Sequence, residues 1–155
     1  MSELPYRPCV GAALFDARGL VLVARRTGLQ SWQMPQGGID PGEAPRSAVL
    51  RELGEELGTQ AARIIGEHPD WLTYDLPSEI VGRALGGRYR GQRQRWFALR
   101  FEGEDRAIRL DLDPHPEFDA WRWAPIDELP ELAVPFKRSI YEIIARSFRR
   151  FAVPV

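Results

Sequence analysis

The sequence predicts an α+β fold in which a sheet is packed against helices, and three observations predict it. The chain has 155 residues, 44% of them hydrophobic and 28% charged, which suits one domain over residues 1–155 with a core that needs no disulfide scaffold. Strand-like and helix-like segments are mixed along it, without the regular β-α-β alternation of a doubly wound sheet. Two segments, Pro45–Leu57 and Phe136–Phe151, carry apolar residues at helical spacing, and most of what lies outside them reads as strands and turns.

Cys9–Phe15 and Leu20–Arg25 read as strands joined by the hairpin turn Asp16-Ala17-Arg18-Gly19. Gln36–Gly42 holds three Gly and one Pro and reads as a loop. Pro45 suits the first turn of a helix, where its missing N–H costs nothing, and Gly58 suits the position just past the end. Ala48, Val49, Leu53 and Leu57 form the apolar stripe between them. Ala62–Glu67, Trp71–Leu76 and Arg93–Phe101 read as strands, with Ile108–Leu112 and Ala120–Trp123 as shorter ones. The last helix spans Phe136–Phe151, with Phe136, Ile140, Ile143, Ile144, Phe148 and Phe151 on one stripe.

With 21 basic and 22 acidic residues, the formal charge is −1. That balance excludes a protein that coats DNA through a strongly basic surface, although it permits a local basic patch. All but one of the basic residues are Arg, the exception being Lys137. Arginine-rich codon usage accounts for such a bias, and so does a need for bidentate phosphate contacts. Cys9 is the only cysteine, so no intrachain disulfide forms. No apolar leader opens the chain and no apolar run is long enough to span a bilayer. A cytoplasmic protein without membrane contact is expected. Cys9 is expected to be a small buried residue. His68 and His115 each precede a Pro in turn-like stretches, and neither is given a metal role.

The most informative stretch runs from Gly37-Gly38 through Glu43 to Arg51-Glu52-Leu53-Gly54-Glu55-Glu56-Leu57-Gly58. On a helix Glu52, Glu55 and Glu56 share one face, where like charges repel. No basic residue follows one turn later, and the C-terminal half of a helix disfavours negative charge. A solvated helix face is the plain explanation of such a run. A missing cation is the other, because hard divalent ions take carboxylate oxygens together with substrate phosphates. The Gly-rich loop ahead of the helix, with its exposed amides, favours the second. Gly54, mid-helix, is expected to pack closely against a strand.

At these positions the sequence resembles the Nudix hydrolases. Gly37, Glu43, Arg51, Glu52, Leu53, Glu55, Glu56 and Gly58 match the family pattern at its spacing, and only Thr59 departs, at a packing position usually aliphatic. The resemblance implies an α/β/α sandwich with a mixed central sheet and hydrolysis of a nucleoside diphosphate linked to another group. It implies metal binding by Glu52, Glu55 and Glu56 with the Gly37 carbonyl, magnesium being the expected ion and manganese or another divalent ion a substitute. It also implies that Glu43 and Arg51 pair and brace the loop against the helix.

Segments along the rest of the chain are similar to one branch of that family, the bacterial RNA pyrophosphohydrolases and the related dinucleoside polyphosphate hydrolases. They include Tyr6-Arg7-Pro8, Trp32–Gly38, Trp71–Pro77, Gly91–Phe97, Pro116–Trp123 and Pro135–Arg138. The resemblance implies that Glu117 reaches the metal cluster and that Phe136 stacks a base beside a phosphate-binding Lys137. Tyr74 either does the same or packs on the sheet. Arg7 and Arg26 become phosphate or base contacts. Arg83, Arg88, Arg90, Arg93, Arg95 and Arg100 lie in a stretch with no acid between Glu79 and Glu102. They are either a solvated basic face or a rim for phosphates, with Arg93 and Arg95 favoured for the second by their place in the family-like segment. The expected reaction removes pyrophosphate from RNA 5′-triphosphate ends, leaving a 5′-monophosphate. The alternative is asymmetric cleavage of diadenosine tetraphosphate to ATP and AMP. One of Glu52, Glu55 or Glu117 would take the proton of the attacking water.

Overall fold

The computed structural model describes residues 4–155; residues 1–3, the start of the segment read as lacking a leader, lie outside it. Eleven strands and α-helices follow in chain order: β1 (Tyr6–Phe15), β2 (Val21–Arg26), β3 (Trp32–Gln33), β4 (Gln36–Gly38), α1 (Pro45–Leu57), β5 (Ala62–Glu67), β6 (Leu72–Asp75), β7 (Gly91–Phe101), β8 (Phe118–Ala124), α2 (Leu129–Leu132) and α3 (Arg138–Ser147).

The strands form one mixed sheet. β1 and β7 run parallel at its centre, in register from Tyr6 opposite Gly91 to Phe15 opposite Arg100. β5 and β6 pair antiparallel with the two ends of β7. β2 and β4 pair antiparallel with the two ends of β1, and β3 and β8 pair with β2.

Both faces of the central pair are buried, so their side chains feed two cores by simple alternation. Val10, Ala12 and Leu14 of β1, with Phe97 and Leu99 of β7, pack against Ala48, Val49, Leu53 and Leu57 of α1. Ala13, Phe15, Trp96 and Ala98 point the other way and pack against Ile140, Tyr141 and Ile144 of α3 and Phe148 just beyond it. The layers are therefore α1, sheet and α3, the sandwich expected. Tyr141 also ties the layers together, since its buried hydroxyl accepts a hydrogen bond from the Met34 backbone N–H at 2.8 Å.

α1 has the predicted bounds. Pro45 opens it, and Gly58 closes it in the left-handed conformation, φ 72°, donating its N–H to the Gly54 carbonyl. Four expectations change. Ile108–Leu112 is not a strand but a loop: Ile108 is buried against the α1 core, the Arg109 N–H donates to the Leu57 carbonyl at 2.7 Å, and Leu112 is exposed. The C-terminal segment is not one helix, because a 3₁₀ turn over Pro135–Lys137 precedes α3, and α3 ends before Phe148. Gln36–Gly38 is a short strand rather than pure loop, paired with β1. Gly54 faces the side chain of Gln60, not a strand, and that amide caps the Leu50 carbonyl. Among the described residues no helix is long and apolar enough to cross a membrane.

Candidate active site

The helix–loop junction brings Glu43, Glu52 and Glu55 together on one arginine. Arg51 sits at its centre. Its guanidinium makes two 2.8 Å bonds to the Glu43 carboxylate, one to the Gly38 carbonyl at 2.8 Å, one to Glu52 at 2.9 Å and longer ones to Glu55 at 3.2 Å. The loop and α1 are thus clamped by one planar, five-donor group. Arg51 holds the Glu43 carboxyl down at about 2, and its own pKa rises in return. It also relieves the acidic face from one turn earlier, as the i−4 neighbour of Glu55.

Beneath Glu52 lies Gly37. A Cβ on Gly37 would overlap the Glu52 carboxylate, so only glycine lets the carboxylate rest on the β4 backbone. β4 is fixed in turn by a ladder of amides from β7. The Trp96 indole N–H donates to Gln94, and the Gln94 amide donates to Gln92 and to Gln36, next to Gly37. Gln92 and Gln94 are buried, and β7's alternation brings them to the α3 side with Trp96.

Glu52, Glu55, Glu56 and Glu117 line a cleft of about 150 Å³, with Leu110, Asp113, His115 and Pro116 on its far wall. Glu56 is its deepest carboxylate. It is buried, and its Oε2 has no hydrogen-bond partner among the described residues. Burial first, and then the charges of Glu117 and Glu52, drive its pKa far above the ordinary carboxylate range, against a backbone hydrogen bond from Gln36. Burial also raises the Glu52 pKa, opposed by Arg51. A buried, unpartnered carboxylate oxygen beside two more acids is what a divalent cation would satisfy. Among the described residues, no three potential ligands are already drawn into a metal-ligand cluster, and Arg51 engages Glu52 and Glu55. The donor set is oxygen-only and hard, as magnesium prefers.

Glu117 reaches this cleft from the loop before β8, which is held by a hydrogen bond from the Thr27 N–H to the Glu117 carbonyl. Arg26, at the end of β2, pairs with the Glu117 carboxylate at 3.4 Å. Lys137 comes from the α3 side. It is buried, and no hydrogen bond or ion pair engages its ammonium among the described residues. Burial and then the Arg26 charge lower its pKa to about 8, partly offset by Glu117. Its Nζ lies 5.9 Å from the centre of the Tyr74 ring, and Tyr74 in turn packs on Phe136 at 5.6 Å between ring centres. Tyr74 is buried, whereas Phe136 is half-buried and keeps part of its ring open.

Arg7 lies over Gly38 on the other side of β4. Arg93 and Arg95 are not brought to the cleft. Both stack on Trp71, at 4.3 and 5.7 Å, and Arg95 is paired with Glu67 at 2.6 Å. β7's alternation places them on the α1 side of the sheet, away from Lys137. Cys9 is fully buried, and burial raises its thiol pKa to about 11, as befits a packed thiol. Asp113 and His115 line the cleft although sequence reasoning gave them no part. Their only signal was the turn-forming Asp-Pro-His-Pro run.

A family model for the NUDIX domain matches residues 5–144. An RNA pyrophosphohydrolase of Gluconacetobacter diazotrophicus is 57% identical over 162 residues, covering 99% of this chain and 97% of that protein. One of Acidiphilium cryptum is 60% identical over 156 residues, covering 97% and 94%. The structure of the E. coli dihydroneopterin triphosphate pyrophosphohydrolase superposes with a TM-score of 0.69 at 20% identity, covering 92% of this chain and 99% of that one.

Proposed function

The chain belongs to the NUDIX family, and on that premise we propose that it removes pyrophosphate from the 5′-triphosphate end of RNA, leaving a 5′-monophosphate. One observation carries the proposal. A cleft lined by Glu52, Glu55, Glu56 and Glu117 ends on a buried, unpartnered Glu56 oxygen. The names of relatives at 57–60% identity support RNA as the substrate, and these proteins are bacterial, which fits a cytoplasmic RNA-processing role.

Nudix hydrolases generally need divalent metal ions, and magnesium fits this oxygen donor set, with manganese a substitute. Glu52, Glu55, Glu56 and Glu117 would hold it, with the Gly37 carbonyl beneath. When bound, such an ion neutralises phosphate charge and lowers the pKa of a coordinated water. Arg51 keeps Glu52 and Glu55 in place through the Glu43 brace. A carboxylate of this set, Glu52, Glu55 or Glu117, accepts the proton of the attacking water. Arg26, paired with Glu117, and Lys137 beside them would hold the leaving phosphates, and Phe136 offers a partly open ring to a base. Tyr74 backs Lys137 and Phe136 from below. Arg7 guards the side where the chain continues. Arg93 and Arg95 act at a distance from the cleft, as part of the basic surface.

The test sets 5′-triphosphorylated RNA against diadenosine tetraphosphate in one magnesium-containing assay. Turnover of the RNA faster by orders of magnitude is expected. The reverse preference would transfer the same chemistry to free dinucleoside polyphosphates.

A further inference from the structure

The acid-free stretch from Arg83 to Arg100 divides sharply once its partners are known. Arg83 donates to the Glu79 carbonyl, Arg90 pairs with Asp75, Arg93 stacks on Trp71, and Arg95 pairs with Glu67. Arg100 is buried and donates to the Asp16 and Phe151 carbonyls. Only Arg88 of the six has no hydrogen bond, ion pair or ring contact among the described residues. Its segment is held in an unusual shape, with Leu85, Gly86 and Gly87 all at positive φ.

Arg88 lines a cavity of about 360 Å³, together with Arg7, Tyr89, Gly38, Asp40 and Leu85. That volume falls in the lower range of small-molecule sites and admits a group of nucleotide size. Arg7 makes no hydrogen bond or ion pair among the described residues. It lies so close over Gly38 that a Cβ there would come within 2.5 Å of its guanidinium. The one acid of the cavity, Asp40, leans toward Arg51 at 3.6 Å. The cavity thus offers two arginines without counter-ions, and it adjoins the Gly37-Gly38 strand that underlies the catalytic carboxylates.

We infer that this cavity binds the backbone of an RNA chain beyond its first nucleotide, with Arg88 on a phosphodiester. The inference rests on the RNA reading of the active site. It favours RNA over a dinucleoside polyphosphate, because the distal nucleoside of the latter brings no phosphodiester. Each further RNA nucleotide does, and single-stranded RNA is held through such charges.

The test uses the full chain and reaction products, which undergo no further turnover. Binding of a 5′-monophosphorylated tetranucleotide and of the corresponding mononucleotide is measured for wild type and Arg88→Glu across a salt series. Arg88 is exposed and unpartnered, so the fold is retained, as circular dichroism will verify. Arg88→Glu is expected to weaken the tetranucleotide by about tenfold or more. It should also reduce the slope of log affinity against log salt by about 0.7, and leave the mononucleotide within about twofold of wild type. Arg88→Lys should recover most of the loss. Equal tetranucleotide binding by wild type and Arg88→Glu overturns the inference, and so does an equal loss for both ligands. A wild type that fails to release pyrophosphate from RNA, yet shows the length-dependent loss in Arg88→Glu, retains the subsite and overturns the hydrolytic reading instead.

Discussion

A carboxylate buried beside two others gives up its charge unless something positive joins it, and Glu56 is in that position. Lys137 poses the mirror-image problem, as a buried lysine whose ammonium has no hydrogen-bonded partner among the described residues. Each has the polarity a phosphate–cation complex would satisfy. In the free protein the Lys137 pKa stands near 8, below its ordinary 10.5. The unfolded chain therefore binds the Lys137 proton more tightly, which penalises the fold below pH 8, a penalty that fades as pH rises from 8 to 10.5. Phosphate needs the ammonium, so affinity for a 5′-monophosphorylated product should decline as pH rises through about 8. Lys137→Arg should flatten that decline in a calorimetric titration from about pH 7 to about pH 9, because guanidinium stays charged. A second expectation concerns Gly37. Gly37→Ala displaces the Glu52 carboxylate it would overlap, and should lower turnover strongly while substrate affinity changes little, a split that steady-state kinetics reads directly.

At the scale of elements, α1 and its approach loop form the unit on which the site is built, and Arg51 couples them. Glu43, held near a pKa of 2 against an ordinary 4.5, binds fewer protons in the folded than in the unfolded chain. Its stabilisation is complete above about pH 4.5 and is lost as pH falls toward 2. Acid unfolding of wild type should therefore be steeper across that window than that of Glu43→Gln. α1 was legible in the sequence because several local signals agree: Pro45 at its start, Gly58 at its end, and an apolar stripe at 3.6 spacing. The acidic cluster was legible for the same reason, being local to one helix. Ile108–Leu112 was misread because Ile, Leu and Leu at every second position mimic a strand. The loop uses Ile108 as an anchor on α1 and leaves Leu112 in solvent, a tertiary choice that alternation does not encode. Arg93 and Arg95 were favoured as phosphate contacts by their place in the family-like Gly91–Phe97 segment. The side to which a strand residue turns is settled only by the register of β1 on β7, which sends Gln92 and Gln94 one way and the two arginines the other.

Across the whole molecule, one sheet separates two cores. β1 and β7 contribute to both cores, so loss of packing on either face should weaken the same structure. We propose that residues 1–155 unfold as one cooperative domain. Leu53→Ala on the α1 side and Ile144→Ala on the α3 side should each cost about 2–5 kcal/mol and shift a single calorimetric transition without splitting it. Two separable transitions would show that the layers fold apart.

In the proposed reaction, the cleft around Glu56 holds the cation that drives pyrophosphate release. Its most direct test is the rate of pyrophosphate release from 5′-triphosphorylated RNA against magnesium concentration, for wild type, Glu55→Gln and Glu56→Gln, with circular dichroism to show the fold is kept. Saturable magnesium dependence is expected in wild type, with a loss of at least ~10²-fold in both variants at every magnesium concentration. Full activity in both variants, with unchanged magnesium dependence, would contradict it.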